Sequence, residues 1–225
     1  MDGVSMTDTS SENGAGKAQT SEEIDKAISD MLKRSKRVKL SGLLGQHSIA
    51  IGLKDGVEVT INGNSGDYLG AFNEGGIIIL NGNCGNLAGD TMIAGGILIF
   101  GDSGNNPGAC MKNGIIVVKG NVQGNVGEKM SGGTIIIDGN VSGDVGSGMM
   151  DGTIIVTGGV VGRVGHGIGD GGIFIGGEAQ NYRSDTISRK PTPKEISRLT
   201  KYFEHYGIHA APLSMSAYKR RDRDG

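Results

Sequence analysis

A glycine period of 19 residues constrains this chain more than any other feature. Gly63, Gly82, Gly101, Gly120, Gly139, Gly158 and Gly177 are spaced by 19. So are Gly70, Gly89, Gly108, Gly127, Gly146 and Gly165, and again Gly76, Gly95, Gly114, Gly133, Gly152 and Gly171. Three unbroken series with one period define an internal repeat rather than simple enrichment, although 43 of the 225 residues are glycine. The third-residue period of collagen is missing. Apolar residues keep the same beat. Short runs precede the first glycine series: "VTI" at 59–61, "IIIL" at 77–80, "ILIF" at 97–100, "IIVV" at 115–118, "TIII" at 134–137, "TIIV" at 153–156 and "IFI" at 173–175. Met92, Met111, Met130 and Met149 form a further column, continued by Ile168, and Asn64, Asn83, Asp102, Asn121 and Asn140 form another.

One strand-length run with glycine corners cannot bury a face alone. Stacked in parallel at about 4.8 Å, each run bonds to its equivalents above and below, and the inward residues become columns. The repeat therefore predicts an all-β chain, a right-handed parallel β-helix of about seven 19-residue coils with short flanking helices. A doubly wound fold needs helical spacers for which 19 residues leave no room. Corner glycines are expected at positive φ, and the Asn column is expected to bond from coil to coil. Met at an inward position reads as core filler rather than as a soft-metal site.

The flanks differ in composition. Residues 1–19 are polar and glycine-rich, which predicts a disordered tail. Over 20–36, Thr20 and Glu23 stand at capping-box spacing, and Ile24, Ile28, Met31 and Leu32 make an apolar stripe, so a helix is expected. The solenoid is expected over 37–180, its lead segment 37–56 capping the first end. Over 181–225 a second helix is expected, with Thr192 as N-cap, Pro193 in the first turn, Glu195 as capping-box partner and Gly207 as the stop. Its stripe, Ile196, Leu199, Phe203 and Tyr206, is expected partly to cover the last coil and partly to meet a partner. The tail "YKRRDRDG" reads as a solvated end.

Candidate chemistry is sparse. The net charge is −2, so no global basic field points to nucleic acid. No run approaches the roughly 18 apolar residues of a membrane span and no leader is evident, so the expected compartment is the cytoplasm. Cys84 and Cys110 lie 26 apart, off the repeat, and form neither a disulfide framework nor a zinc pattern. "GIGDGG" at 167–172 matches a dinucleotide fingerprint, but a strand follows it where a helix is required. "GAGKAQ" at 14–19 lacks the hydroxyl residue of a phosphate loop. Asn140-Val-Ser142 is a sequon without a secretory context. The histidines His47, His166, His205 and His209 make no metal-ligand spacing. Arg163, His166 and Asp170 lie close in sequence and are the one group that could meet an anion or a partner carboxylate; solvated corner residues are the alternative. Asp67, Glu74, Asp90, Asp102, Asp144 and Asp151 look scattered over the repeat, unlike a calcium-binding array. From the residues alone, no catalytic, cofactor-binding or metal site is expected, and the chain reads as a scaffold or interaction subunit.

The phrases "GEKMSGGTIIIDGN" and "GSGMMDGTIIVTGG" resemble the GXGXG β-helix domain. That domain closes the large subunit of glutamate synthase and forms the β-helix subunit of formylmethanofuran dehydrogenase. The early segments "LSGLLGQ", "INGNSGDYLGAF" and "LNGNCGNLAGDTMIAGG" look most like the glutamate synthase form; coils 120–158 are of the more regular kind also seen in the other enzyme. The resemblance covers about residues 38–180. It implies a domain that holds catalytic parts together without being catalytic itself. In glutamate synthase those parts are an N-terminal Cys amidotransferase domain, an FMN barrel and iron–sulfur centres, which transfer glutamine amide nitrogen to 2-oxoglutarate. No residues of this chain match them. The resemblance thus implies a free-standing scaffold subunit of a split glutamate synthase-type complex, with amidotransferase and FMN/iron–sulfur chains as partners and no cofactor of its own. Variants acting on methylated glutamate or related amino acids fit the same pattern. A formylmethanofuran dehydrogenase-type scaffold is the alternative. A polysaccharide-acting β-helix enzyme is a third reading, disfavoured because the coils carry no long loops, aromatic platform or paired carboxylates.

Overall fold

The computed structural model describes residues 4–5, 20–182 and 186–221. The elements are β1 (Val4–Ser5), α1 (Ser21–Leu32), β2 (Arg37–Leu44), β3 (Glu58–Asn64), β4 (Glu74–Asn81), β5 (Ala94–Ile99), β6 (Ile115–Val118), β7 (Thr134–Ile137) and β8 (Thr153–Val156). They continue with β9 (Val160–Val164), β10 (Gly172–Ile175), β11 (Ala179–Tyr182), β12 (Thr186–Arg189), α2 (Pro193–Tyr206) and β13 (Ser216–Arg220).

Strands β2 to β8 and then β10 stack in parallel, each residue opposite its repeat equivalent: Ile97 faces Ile116, which faces Ile135, which faces Ile154, which faces Ile173. A second face closes through parallel bridges along Cys84, Ser103, Val122, Val141 and Val160, and along Val126, Val145 and Val164. The result is the expected parallel β-solenoid, about seven coils long. Alternate strand residues point inward, so Ile78, Ile97, Ile116, Ile135, Ile154 and Ile173 form one core column. Met92, Met111, Met130 and Met149 are also fully buried in that core, with Ile168 continuing the series. The methionines are core filler, as their inward spacing predicts.

Two corner devices hold the stack. Asn64, Asn83, Asp102, Asn121 and Asn140 each accept, through Oδ1, the backbone N–H of the next member one coil on, at 2.7–2.9 Å, the last bond running to Gly159. A second ladder, Asp67, Asn86, Asn105, Asn125, Asp144 and Arg163, does the same at 2.7–2.8 Å. Three of the carboxylates that look scattered in sequence, Asp67, Asp102 and Asp144, are thus rungs. Gln123 adds a residue before the fourth rung and one residue fewer follows it, so the step from Asn105 to Asn125 is 20 while the coil length stays 19.

Glycine does different work in each series. Gly70, Gly89, Gly108, Gly127, Gly146 and Gly165 have φ between 62° and 72°, the left-handed region. Gly139 does not: a Cβ there would stand 2.5 Å from the carbonyl oxygen of Gly120 in the preceding coil. Close approach of two backbones, not positive φ, requires glycine at that corner.

The ends and one flank are covered by non-repeat elements. Helix α1 has the expected capping box, Glu23 N–H to Thr20 Oγ1 at 3.3 Å and Thr20 N–H to Glu23 Oε2 at 2.8 Å. It puts Ile24 and Ile28 into the main core, so α1 caps the first end, while 37–56 forms the lead coil itself through β2. The tail expected over 1–19 lies outside the described residues except for β1, which pairs with β2. At the far end the sheet continues through β13, antiparallel to β10, and then β12. Of the "YKRRDRDG" run, Tyr218–Arg220 belongs to β13, with Lys219 and Arg220 exposed as expected of a solvated end, and residues 222–225 lie outside the described residues. Tyr218 lies opposite Ile173 and is buried in the main core, so its ring helps close the last coil.

Helix α2 has the predicted caps: Glu195 N–H to Thr192 Oγ1 at 3.4 Å, and Gly207 at φ 59°. Its position differs from the expectation. It does not cap the open end of the last coil but lies on the outward side of the coils, the last one included. Leu199 and Phe203, with Ile208, Met215 and Ala217, form a second core with Val117, Ile136, Ile155 and Phe174, the outward column of β6, β7, β8 and β10. Strands buried on both faces read as unbroken apolar runs, which is why "TIII" and "TIIV" have no polar outward residue at their centre. Tyr202 and Tyr206 are half-buried and pack on this second core, so the aromatic remainder of the stripe also makes contacts within the chain.

Candidate functional site

The outer face of the main sheet carries the features with functional content. Over β6 to β10 it is sealed by α2, which is tied at both ends. Arg189 donates to both oxygens of Glu195 at 2.7 Å. At the other end Lys119 Nζ donates to the helix C-terminal carbonyls of Tyr206 and Gly207 at 2.9 and 3.1 Å and to Asp138 at 3.0 Å. A cation among the last carbonyls of a helix satisfies orphan acceptors and complements the dipole. Midway, the hydroxyls of Tyr202 and Thr134 lie 3.2 Å apart. The Arg189 guanidinium, with the Thr192 backbone N–H and hydroxyl, holds the Glu195 carboxyl down at about 2, against the opposing effect of burial.

Towards β4 and β5 the helix ends and the same outward columns go on, with Leu98 half-buried against the α2 core and Ile77 and Phe100 open. Leu98 follows Val117 in register, and Ile79 follows Leu98. Ile77 and Phe100 flank them, 41 % and 52 % exposed. Gly96 sits between Ile77 and Ile115: a Cβ on it would lie 3.2 Å from Ile77 Cδ1 and 3.6 Å from Ile115 Cγ2. Ile115 in turn packs on the α2 core. An apolar floor thus runs without a break from beneath α2 to Ile77. It stops at β3, whose outward residues are Glu58, Thr60 and Asn62, and Asn81 donates to Asn62 Oδ1 at 2.8 Å along that rim.

A second recess of about 270 Å³ lies between β10, β13 and the first turn of α2, lined by Asp151, Asp170, Arg189, Glu195, Arg198 and Lys219 among others. Within it Arg189 pairs with Glu195, Arg220 lies 3.6 Å from Asp170, and the Arg198 guanidinium sits 5.8 Å from the centre of the Phe174 ring.

The structure does not gather Arg163, His166 and Asp170 into one site. Arg163 belongs to the second ladder: its Nη2 and Nε reach Asp144 Oδ2 at 2.6 and 3.0 Å. Burial opposes the charge on Asp144, but the Arg163 side chain and backbone N–H, helped by His166, hold its carboxyl below the usual range. Asp170 instead lines the end recess near Arg220. Of the cysteines, Cys84 is buried beside Ser103 Oγ at 3.3 Å, and burial pushes its thiol up to about 11, which makes it a poor nucleophile. Cys110 is exposed at a corner with φ 53°. Among the described residues, no three or more His, Cys, Asp or Glu are grouped to hold a metal ion. No helix among them is long and apolar enough to cross a membrane. The apolar floor and the second ladder are what sequence reasoning missed. The ladder was signalled by Asp67, Asn86 and Asn105 at 19 and is masked only by the slip at Gln123. The floor was signalled by Ile77, Ile79 and Phe100 at outward positions that are Glu58, Thr60 and Asn81 one coil earlier, with Leu98 continuing the column from Ile79.

Compared with known proteins, the chain matches no protein-family model and no curated protein.

Proposed function

We propose that the chain is a non-catalytic structural subunit of a glutamate synthase-type complex, in which partner chains carry out glutamine amide transfer to 2-oxoglutarate. The observation that carries the scaffold part is how the polar corner side chains are used. Asp67, Asp102 and Asp144 and the amides between them are committed to the N–H groups of neighbouring coils. They therefore rigidify a rod, and its long flank can hold other domains at fixed spacing. The choice of enzyme rests on the resemblance of "INGNSGDYLGAF" and "LNGNCGNLAGDTMIAGG" to the glutamate synthase β-helix.

The test is co-expression with chains bearing an amidotransferase Cys and an FMN barrel, followed by assay with glutamine, 2-oxoglutarate and a reductant. The expected result is a stable complex that makes glutamate and an isolated chain that makes none. Glutamate formation by the isolated chain overturns the scaffold reading. Assembly with molybdenum- or tungsten-enzyme chains instead moves the assignment to the formylmethanofuran type.

A further inference from the structure

The apolar floor over β4 and β5 continues an interface that is already built, and this identifies what fits it. From Val117 to Phe174 the outward column is covered by a helix whose Leu199 and Phe203, four residues apart, are buried against it. The column extends through Leu98 and Ile79 with Ile77 and Phe100 beside it, and the polar edge at Thr60 and Asn62 closes it off. The open part is two strands wide, about 10 Å with its side chains, which is the diameter of one helix.

A second copy of this chain does not fit there face to face. Sheets pack at about 10 Å, but α2 stands about that far above the same sheet and meets the opposing copy before its strands can approach. A helix from another chain meets no such step. It can lie on the floor along β4 and β5, next to the C-terminal end of α2, which ends at Lys119 beside β6. We infer that Ile77, Ile79, Leu98 and Phe100 dock an amphipathic helix of a different protein chain. That helix presents apolar residues at spacings of three and four to the floor, and polar residues to the Asn62–Asn81 rim. The inference rests on the proposed function only in expecting a second chain.

The experiment places a photo-reactive phenylalanine analogue at Ile77, at Phe100 or, as control, at Val161, which is 73 % exposed on β9. Irradiation is carried out in the cells that make the protein, and the cross-linked peptides are sequenced. The expected result is that positions 77 and 100 capture one segment of another chain whose apolar residues recur at three and four, and that position 161 does not capture it. No adduct, an adduct to a second copy, or a captured segment with strand-like alternation overturns the inference. The double variant Ile77→Asp/Phe100→Asp should lower recovery of that adduct, with the analogue at Leu98, by about tenfold or more. An unchanged urea midpoint shows that the variant is folded. If the glutamate synthase-type chains co-purify equally well with wild type and the double variant, the docking surface is wrong and the functional reading stands. If they never co-purify but another chain's helix is captured at 77 and 100, the functional reading is wrong and the docking surface stands.

Discussion

At the scale of the residue, glycine is required for two separable reasons, and each makes a prediction. At Gly139 the neighbouring coil excludes a side chain: even Ala brings Cβ to 2.5 Å from Gly120 O. Gly139→Ala should cost about 2–4 kcal/mol, because the coils must move apart. Met130→Leu conserves volume at a fully buried site and should cost less than about 1.5 kcal/mol. Urea midpoints at equal slope decide between them, and a larger loss for Met130→Leu refutes the close-approach argument. The other reason is positive φ. Along one corner, Phe72, Thr91, Cys110 and Lys129 hold φ of 53–57°, and the next two coils place Gly148 and Gly167 there. A side chain in that region carries about 1–2 kcal/mol of strain, part of which glycine returns as unfolded-state entropy. Lys129→Gly should therefore stabilise by about 0.5–1 kcal/mol, and Gly148→Ala should destabilise by about 1 kcal/mol although its Cβ would have room. Thermal midpoints moving the same way in both variants contradict the strain account.

At the scale of the element, α2 is attached to the sheet by Leu199 and Phe203 and pinned by the Arg189–Glu195 pair. The pair is mostly buried, its side chains 26 % and 21 % exposed. Because the folded Glu195 carboxyl titrates at about 2, below its usual range near 4.5, its contribution is fully present above about pH 4.5. It is lost as pH falls from there towards 2. The shift corresponds to at most about 3 kcal/mol. Glu195→Gln should lower the urea midpoint at about pH 6, and the gap to wild type should close on acidification from about pH 4.5 to about 2. A gap independent of pH means that the charge of Glu195 does not carry the effect, since Gln keeps an oxygen for the capping box.

At the scale of the whole molecule, the solenoid behaves as a one-dimensional stack whose ends need covers. Coils inside the stack are stabilised from both sides, whereas the lead coil depends on α1. Ile28→Asp removes a buried aliphatic side chain and places a carboxylate near Asp25, whose own carboxyl is already pushed up by burial. We expect a loss of several kcal/mol confined to one end. Amide exchange should accelerate over β2 and β3 while β6 to β8 stay protected. Uniform acceleration along the rod shows instead that the coils unfold as one unit.

The 19-residue period alone determined the coil, its parallel stacking, the inward Met and Ile columns and the corner Asn ladder. Each is a local consequence of one unit meeting an identical unit, so repetition in sequence becomes contact in space. The caps of α1 and α2 were legible because they too are local: Thr20 with Glu23 and Thr192 with Glu195 act within one turn. Only the tertiary structure decided where α2 lies, that "YKR" joins the sheet, and that Arg163 and Asp170 part company. Those outcomes depend on contacts between segments with no shared period, such as Lys119 with Gly207, 88 residues apart. An amphipathic stripe states only that a helix needs an apolar surface. The solenoid offers two, its open end and its outer sheet face. The outward column of Val117, Ile136, Ile155 and Phe174 takes the helix, and β13 closes the end.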